Sequence, residues 1–212
     1  ARSAPATQRE QLLAAARKFH LAHPADRRIG SLLTEVATLF DDQPKVKTEL
    51  LRQADSAATE PGLKRRIADD LRRVDLLGQP LALGFTSLKG EAIRLEDFRG
   101  RVVLIVFFAD FSPPSTQMLA KIRETLAALK KEPIAVLGVN LDPERRTAES
   151  AVKAAEIAWP VAFDGKSWEG ELVRSLSVNA LPTVWLVDKR GVLRSINAVA
   201  DPLTQIRPLL RE

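Results

Sequence analysis

The sequence predicts an α/β domain built on a central mixed sheet, preceded by an all-helical N-terminal region. Three observations predict it. Apolar residues recur at helical spacing up to about residue 77, and at strand and helix spacings in alternation after it. The longest apolar run, Val102 to Ala109, suits a strand covered on both faces and is far too short to span a membrane. Beyond it, strand–helix–strand followed by a hairpin and a helix implies a mixed sheet with helices on both faces.

The helical region comes first. Leu12, Leu13, Ala16 and Phe19 form one stripe, and Ile29, Leu32, Leu33, Val36 and Phe40 a second. Val46, Leu50 and Ala54 make a third, and Leu63, Ile67, Leu71 and Val74 a fourth. Pro24, Pro44 and Pro61 punctuate them at helix starts. The even spacing admits a helical-repeat reading, but no repeat signature accompanies it, so residues 1–77 read as a small helical bundle and 78–212 as the second domain.

After Gly78-Gln79-Pro80, Leu81 to Ser87 and Glu91 to Leu95 flank Lys89-Gly90 as a hairpin. A helix from about Pro113 carries Met118, Ile122, Leu126 and Leu129 on one face. Ile134 to Leu141 reads as a strand, and about Pro143 to Ile157 as a helix. Thr183 to Val187 and Val192 to Val199 bracket the turn Asp188-Lys189-Arg190-Gly191, and a last helix starts at Pro202. Ser112-Pro113, Asp142-Pro143 and Asp201-Pro202 share one device, a side-chain oxygen to cap free amides and a proline where no donor is needed.

Composition narrows the function. The 212 residues, 45% hydrophobic and 28% charged, suffice for a sizeable core. The net charge of +5 is dispersed: residues 1–78 hold 14 basic and 11 acidic residues, the remainder 18 and 16. No basic stripe points to nucleic acid. Lys64-Arg65-Arg66 and Arg72-Arg73 are offset by Asp69, Asp70 and Asp75, as on a solvated, salt-bridged helix face. Cysteine is absent, which excludes disulfides, thiolate metal sites, iron–sulfur clusters and a thiol nucleophile. The two histidines, His20 and His23, lack carboxylates at ligand spacing, so no metal is expected. The opening Ala1-Arg2-Ser3-Ala4-Pro5-Ala6 fits a processed N-terminus or a trimmed chain equally, with neither signal peptide nor membrane anchor expected.

One segment ties these pieces to a known family. Phe107-Phe108-Ala109-Asp110-Phe111-Ser112-Pro113-Pro114-Ser115 resembles the active-site segment of the TlpA/ResA-like thiol–disulfide oxidoreductases, which read F-W-A-x-W-C-P-P-C. Asp97 to Val103 resembles that family's lead-in strand, and Val139-Asn140-Leu141-Asp142 its next strand end. Ala180-Leu181-Pro182-Thr183 resembles its cis-proline loop, and Val187 to Gly191 the hairpin after it. The likeness runs in order over about residues 78–212. It implies a thioredoxin-like fold, no bound cofactor, an exported protein of the periplasm or cell envelope, and a groove that takes an extended client peptide. Carried over by position, the groove comprises Phe108, Asp110, Phe111, Ser112, Pro113, Pro114, Ser115, Leu181, Pro182 and Thr183, with Phe108, Phe111 and Pro113 as its apolar floor. Trp159 and Trp168 would either extend that apolar surface or lie in the core, the commoner place for a tryptophan.

The departure from the family bears most on function. Both family cysteines fall on serines, Ser112 and Ser115, so thiol–disulfide exchange there is impossible as the chain stands. The family's buried carboxylate position is Val106, and its flanking tryptophans are Phe108 and Phe111. The expectation is a non-catalytic, protein- or peptide-binding member of the family. The alternative is an envelope oxidoreductase whose cysteines were replaced by serine. Ser112 as a hydrolase nucleophile would need a base and an oxyanion hole; the α-helix start could supply amides and Asp110 a base, but both histidines lie in the other domain. A peroxidase would need the reactive cysteine that the chain lacks.

Overall fold

The computed structural model describes residues 6–199 and 201–212; the opening residues 1–5 lie outside the described residues. The chain divides into two compact units, Ala1–Asp75 and Leu76–Glu212.

The first unit consists of α1 (Ala6–Ala22), α2 (Ile29–Ala37), α3 (Pro44–Ala57) and α4 (Pro61–Asp75). Pro44 and Pro61 open α3 and α4, where their missing N–H costs nothing. Pro24 does not open a helix; it sits in the turn between α1 and α2. The core comprises Ile29, Leu33, Ala37, Phe40, Leu50, Leu51, Ala54 and Ile67, all fully buried. Leu12, expected on the apolar stripe of α1, is 44% exposed, while its neighbour Leu13 is buried. On α4, Arg72 pairs with Asp69 at 2.6 Å and Arg73 with Asp70, the latter acid buried.

The second unit opens with β1 (Gly84–Thr86) and β2 (Ala92–Arg94), an antiparallel hairpin. A five-stranded mixed sheet follows, in the order β5-β4-β3-β6-β7. Its strands are β3 (Val102–Phe108), β4 (Ile134–Asn140), β5 (Val161–Ala162), β6 (Thr183–Val187) and β7 (Leu193–Ser195). β3 pairs parallel with β4 and antiparallel with β6. Every β3 residue is buried, as its unbroken apolar run demands of a central strand. Val102, Leu104, Val106 and Phe108 pack with Met118, Leu119 and Ile122 of α5 (Pro113–Ala128) and Ile206 and Leu209 of α8 (Pro202–Arg211). Val152 of α6 (Arg145–Ala154) adds to the same cluster. On alternate positions, Phe107 meets the fully buried Trp185 edge to face, with centroids 5.7 Å apart. Gly138 of β4 makes room for Phe108 in the first cluster, since a Cβ there would stand 3.0 Å from Val161 and 3.2 Å from Phe108. A short α7 (Glu171–Ser175) precedes the loop into β6.

The turn before β7 is held by Asp188, whose Oδ1 accepts the Arg190 and Val192 amides at 2.9 Å each. Burial works against ionisation of Asp188, but these amides and the Arg194 guanidinium at 2.9 Å outweigh it and hold the carboxyl below its ordinary range.

The three proline-led helix starts do not behave alike. Asp201 caps α8, its Oδ1 accepting the Thr204 amide at 3.2 Å and its Oδ2 the Thr204 hydroxyl at 2.6 Å. Those two bonds keep the Asp201 carboxyl below the usual aspartate range. The other two expectations are corrected. Ser112 occupies the N-cap position of α5, yet its side chain makes no capping bond. Asp142 does not cap α6, which begins only at Arg145 after Glu144, because its carboxylate is engaged elsewhere.

Candidate functional site

The register of the sheet assembles the site. Phe108 lies opposite Asn140, and Phe107 opposite Thr183. Residues 109–112, 141–144 and 179–182 therefore leave the sheet at one end, above the carboxyl ends of the parallel pair, where α/β sheets form their crevices. The segments named from the sequence, 110–115 and 181–183, are brought together here.

The anchor is Asp142, only 1% exposed. Both its oxygens lie within hydrogen-bond distance of the Asp110 amide, at 2.9 and 3.1 Å, and it accepts the Asn140 side-chain amide at 2.7 Å. Asn140 Oδ1 in turn accepts the Asp142 backbone N–H at 3.0 Å. A buried carboxylate so held fixes the loop after β3 to the end of β4. Neither residue is among the groove residues expected from the sequence, which reads Asn140 as part of a strand end and Asp142 as a helix cap.

From this anchored loop Phe111 projects 52% exposed, beside half-buried Ser112 and exposed Pro113 and Pro114. Ser115 is 1% exposed, and its Oγ has no hydrogen-bond partner. Phe108 is a correction to the expected groove floor. It is 1% exposed and belongs to the core cluster, as strand alternation with Val102, Leu104 and Val106 requires. Trp159 likewise packs against that cluster, whereas Trp168 is 39% exposed on a turn of 3-10 helix, Ser167–Glu169.

The first turn of α5 offers no oxyanion hole, contrary to the amides expected of it. Pro113 and Pro114 carry no N–H, the Ser115 amide bonds to Ser112 O at 2.8 Å, and the Ser112 amide to Ala109 O at 3.2 Å. A nucleophilic Ser112 would therefore lack the stabilisation that acyl transfer needs.

Opposite this turn, the Leu181–Pro182 peptide bond is cis. Leu181, Pro182 and Thr183 are half-buried, and the Thr183 hydroxyl donates to Ala180 O at 2.8 Å. Among the described residues, neither main-chain group of Leu181 has an intramolecular hydrogen bond. To the other side of the loop, Asp110 and the α6 residues Arg146, Thr147, Ser150, Ala151 and Ala154 line an open depression of about 360 Å³. No group of three or more metal-ligating side chains converges among the described residues.

This sheet order, with α5 leaving the end of the central strand beside a cis-proline loop, defines a thioredoxin-like domain. The chain belongs to the AhpC/TSA family, whose sequence model matches residues 79–196. It is 27% identical over 111 residues to the thiol-disulfide oxidoreductase ResA of Geobacillus kaustophilus, a match covering 52% of this chain and 62% of that protein. It is likewise 27% identical over 115 residues to the thioredoxin-like protein YneN of Bacillus subtilis, covering 52% of this chain and 64% of that one. The chain thus spans less than two thirds of the length of these relatives. Among solved structures, a thiol-disulfide oxidoreductase from Bacteroides fragilis superposes with a TM-score of 0.55 at 25% identity, covering 61% of this chain and 96% of that one. The thioredoxin domain of a thiol-disulfide oxidoreductase from Bacteroides vulgatus gives 0.56 at 22% identity, with 63% and 97% covered.

Proposed function

We propose that this chain is a redox-silent member of its family that binds an extended polypeptide segment between the α5 start and the Leu181–Pro182 loop. The observation that carries it is the pair of hydroxyls, Ser112 and Ser115, in a site otherwise kept in order by the Asp142 clamp. A serine hydroxyl does not ionise near neutral pH and forms no stable bond to sulfur, so the site transfers no electrons. The main-chain groups of Leu181, without a hydrogen-bond partner among the described residues, support recognition by strand pairing, and the exposed ring of Phe111 supports an apolar contact. Residues 1–77 act as a separate helical domain offering a second surface, and the likeness to ResA supports an exported, envelope location. No helix among the described residues is long and apolar enough to cross a membrane.

Selection from a random peptide display library on the full chain tests this. Peptides so selected should bind Phe111→Ser about tenfold more weakly, the weight of one lost apolar anchor, and Leu181→Pro, which removes the main-chain donor, about fivefold more weakly. Unchanged affinity in both variants overturns the groove.

The orphaned Ser115 Oγ favours a second reading, in which an active oxidoreductase carries cysteine at 112 and 115. A buried thiol tolerates an apolar site that leaves a hydroxyl unsatisfied. Dithiol exchange by the Ser112→Cys, Ser115→Cys double variant would support that reading; a folded double variant without exchange would end it.

A further inference from the structure

The depression beside Asp110 has chemistry of its own. Its lining is rich in acceptors: the Asp110 carboxylate from the loop after β3, and the Thr147 and Ser150 hydroxyls one turn apart on α6. Among the described residues, none of these three side chains is engaged in a hydrogen bond or ion pair with another group. Ala151 and Ala154 continue the same helix face with small side chains that leave the space open. Asp110 is also fixed in place, since its amide is bound to Asp142.

The local charge favours a cation. Asp110 in the lining and the buried Asp142, bonded to the Asp110 amide, bring two carboxylates to this corner. Arg146 answers with one guanidinium, while Arg145 is occupied by Glu149 at 2.8 Å and Leu88 O at 2.6 Å. A bare metal ion is not what the acids fit, because they form no converging ligand set among the described residues. A lysine or arginine side chain fits both the space and the acceptors, donating N–H to the carboxylate and to the hydroxyls while its stem lies along Ala151 and Ala154.

We propose that this depression is a subsite for a basic side chain of the polypeptide segment bound at Leu181. The proposal rests on the peptide-groove reading and gives it a charge preference. The loop joins the two places directly, since Asp110 lies next to Phe111 in the same anchored turn.

The test compares peptides selected from the random display library by the wild-type chain. They should carry lysine or arginine at one constant position, and exchange of that residue for norleucine should weaken binding about threefold to fivefold at low salt, less at high salt. Asp110→Asn, which keeps the shape and the backbone clamp, should remove the difference between the basic and norleucine peptides. Arg146→Gln should leave the basic peptide bound as well or better. Selected peptides without a charge preference, or a preference that survives Asp110→Asn, overturn the subsite while the groove stands. A preference for acidic residues that Arg146→Gln abolishes also overturns it. No peptide selected at all overturns both the subsite and the groove.

Discussion

Two helix starts built from the same sequence device end in opposite states. At Asp201-Pro202 the side chain caps α8 through Thr204, whose amide and hydroxyl both reach it. At Ser112-Pro113 the cap is lost, because Pro114 removes the second-position donor and the Ser115 amide turns to the Ser112 carbonyl. The first start is committed to folding. The second leaves its hydroxyl unused by the helix, its ring at 111 exposed and its loop held instead from outside by Asp142. The difference teaches that order at the candidate site comes from tertiary anchoring, while the motif residues themselves contribute little to stability.

Substitutions sharpen that contrast. All three tryptophans lie in the second unit, so their fluorescence during urea unfolding reports on that unit. Asp142→Ala should have the largest effect, about 3 kcal/mol of lost stability, because it strands the Asp110 amide and the buried Asn140 side chain. Asp201→Ala should cost ~1 kcal/mol near neutral pH. Since the folded Asp201 carboxyl is held below its unfolded value, that contribution is present above the ordinary aspartate range and disappears as the pH falls through the folded value. Wild type and Asp201→Ala should therefore converge in stability in acid, as urea titrations at descending pH would record. Ser115→Ala should raise stability by ~1 kcal/mol by removing an orphaned hydroxyl. Ser112→Ala should change it by less than ~0.5 kcal/mol. A cost at Ser112 equal to that at Asp201 would break the comparison.

Much of the fold is legible in the residues. The period of Val102 to Phe108, the prolines that open α3, α4, α5 and α8, and the Asp188–Gly191 turn are local signals, and the structure uses them locally. β5, a two-residue strand, and α7, a five-residue helix, escape notice because elements so short carry no periodicity. At the site, the positions of Ser112, Ser115, Leu181 and Pro182 follow from resemblance, but their environment does not. Asp142 looks like a helix cap until the fold brings the Asp110 amide to it across the ends of two strands. Phe108 shows the opposite case. Alternation along β3 places it in the core with Val102, Leu104 and Val106, although its position in the motif suggests the groove.

The central claim is that the site binds a polypeptide without using its serine hydroxyls. Its most direct test titrates one display-selected peptide, by fluorescence anisotropy, into the wild type, the Ser112→Ala, Ser115→Ala double variant and Phe111→Ser. The account predicts affinity within about twofold for the double variant and about tenfold weaker for Phe111→Ser. Binding abolished in the double variant and retained in Phe111→Ser would contradict it, and would return the hydroxyls to the centre of the site's chemistry.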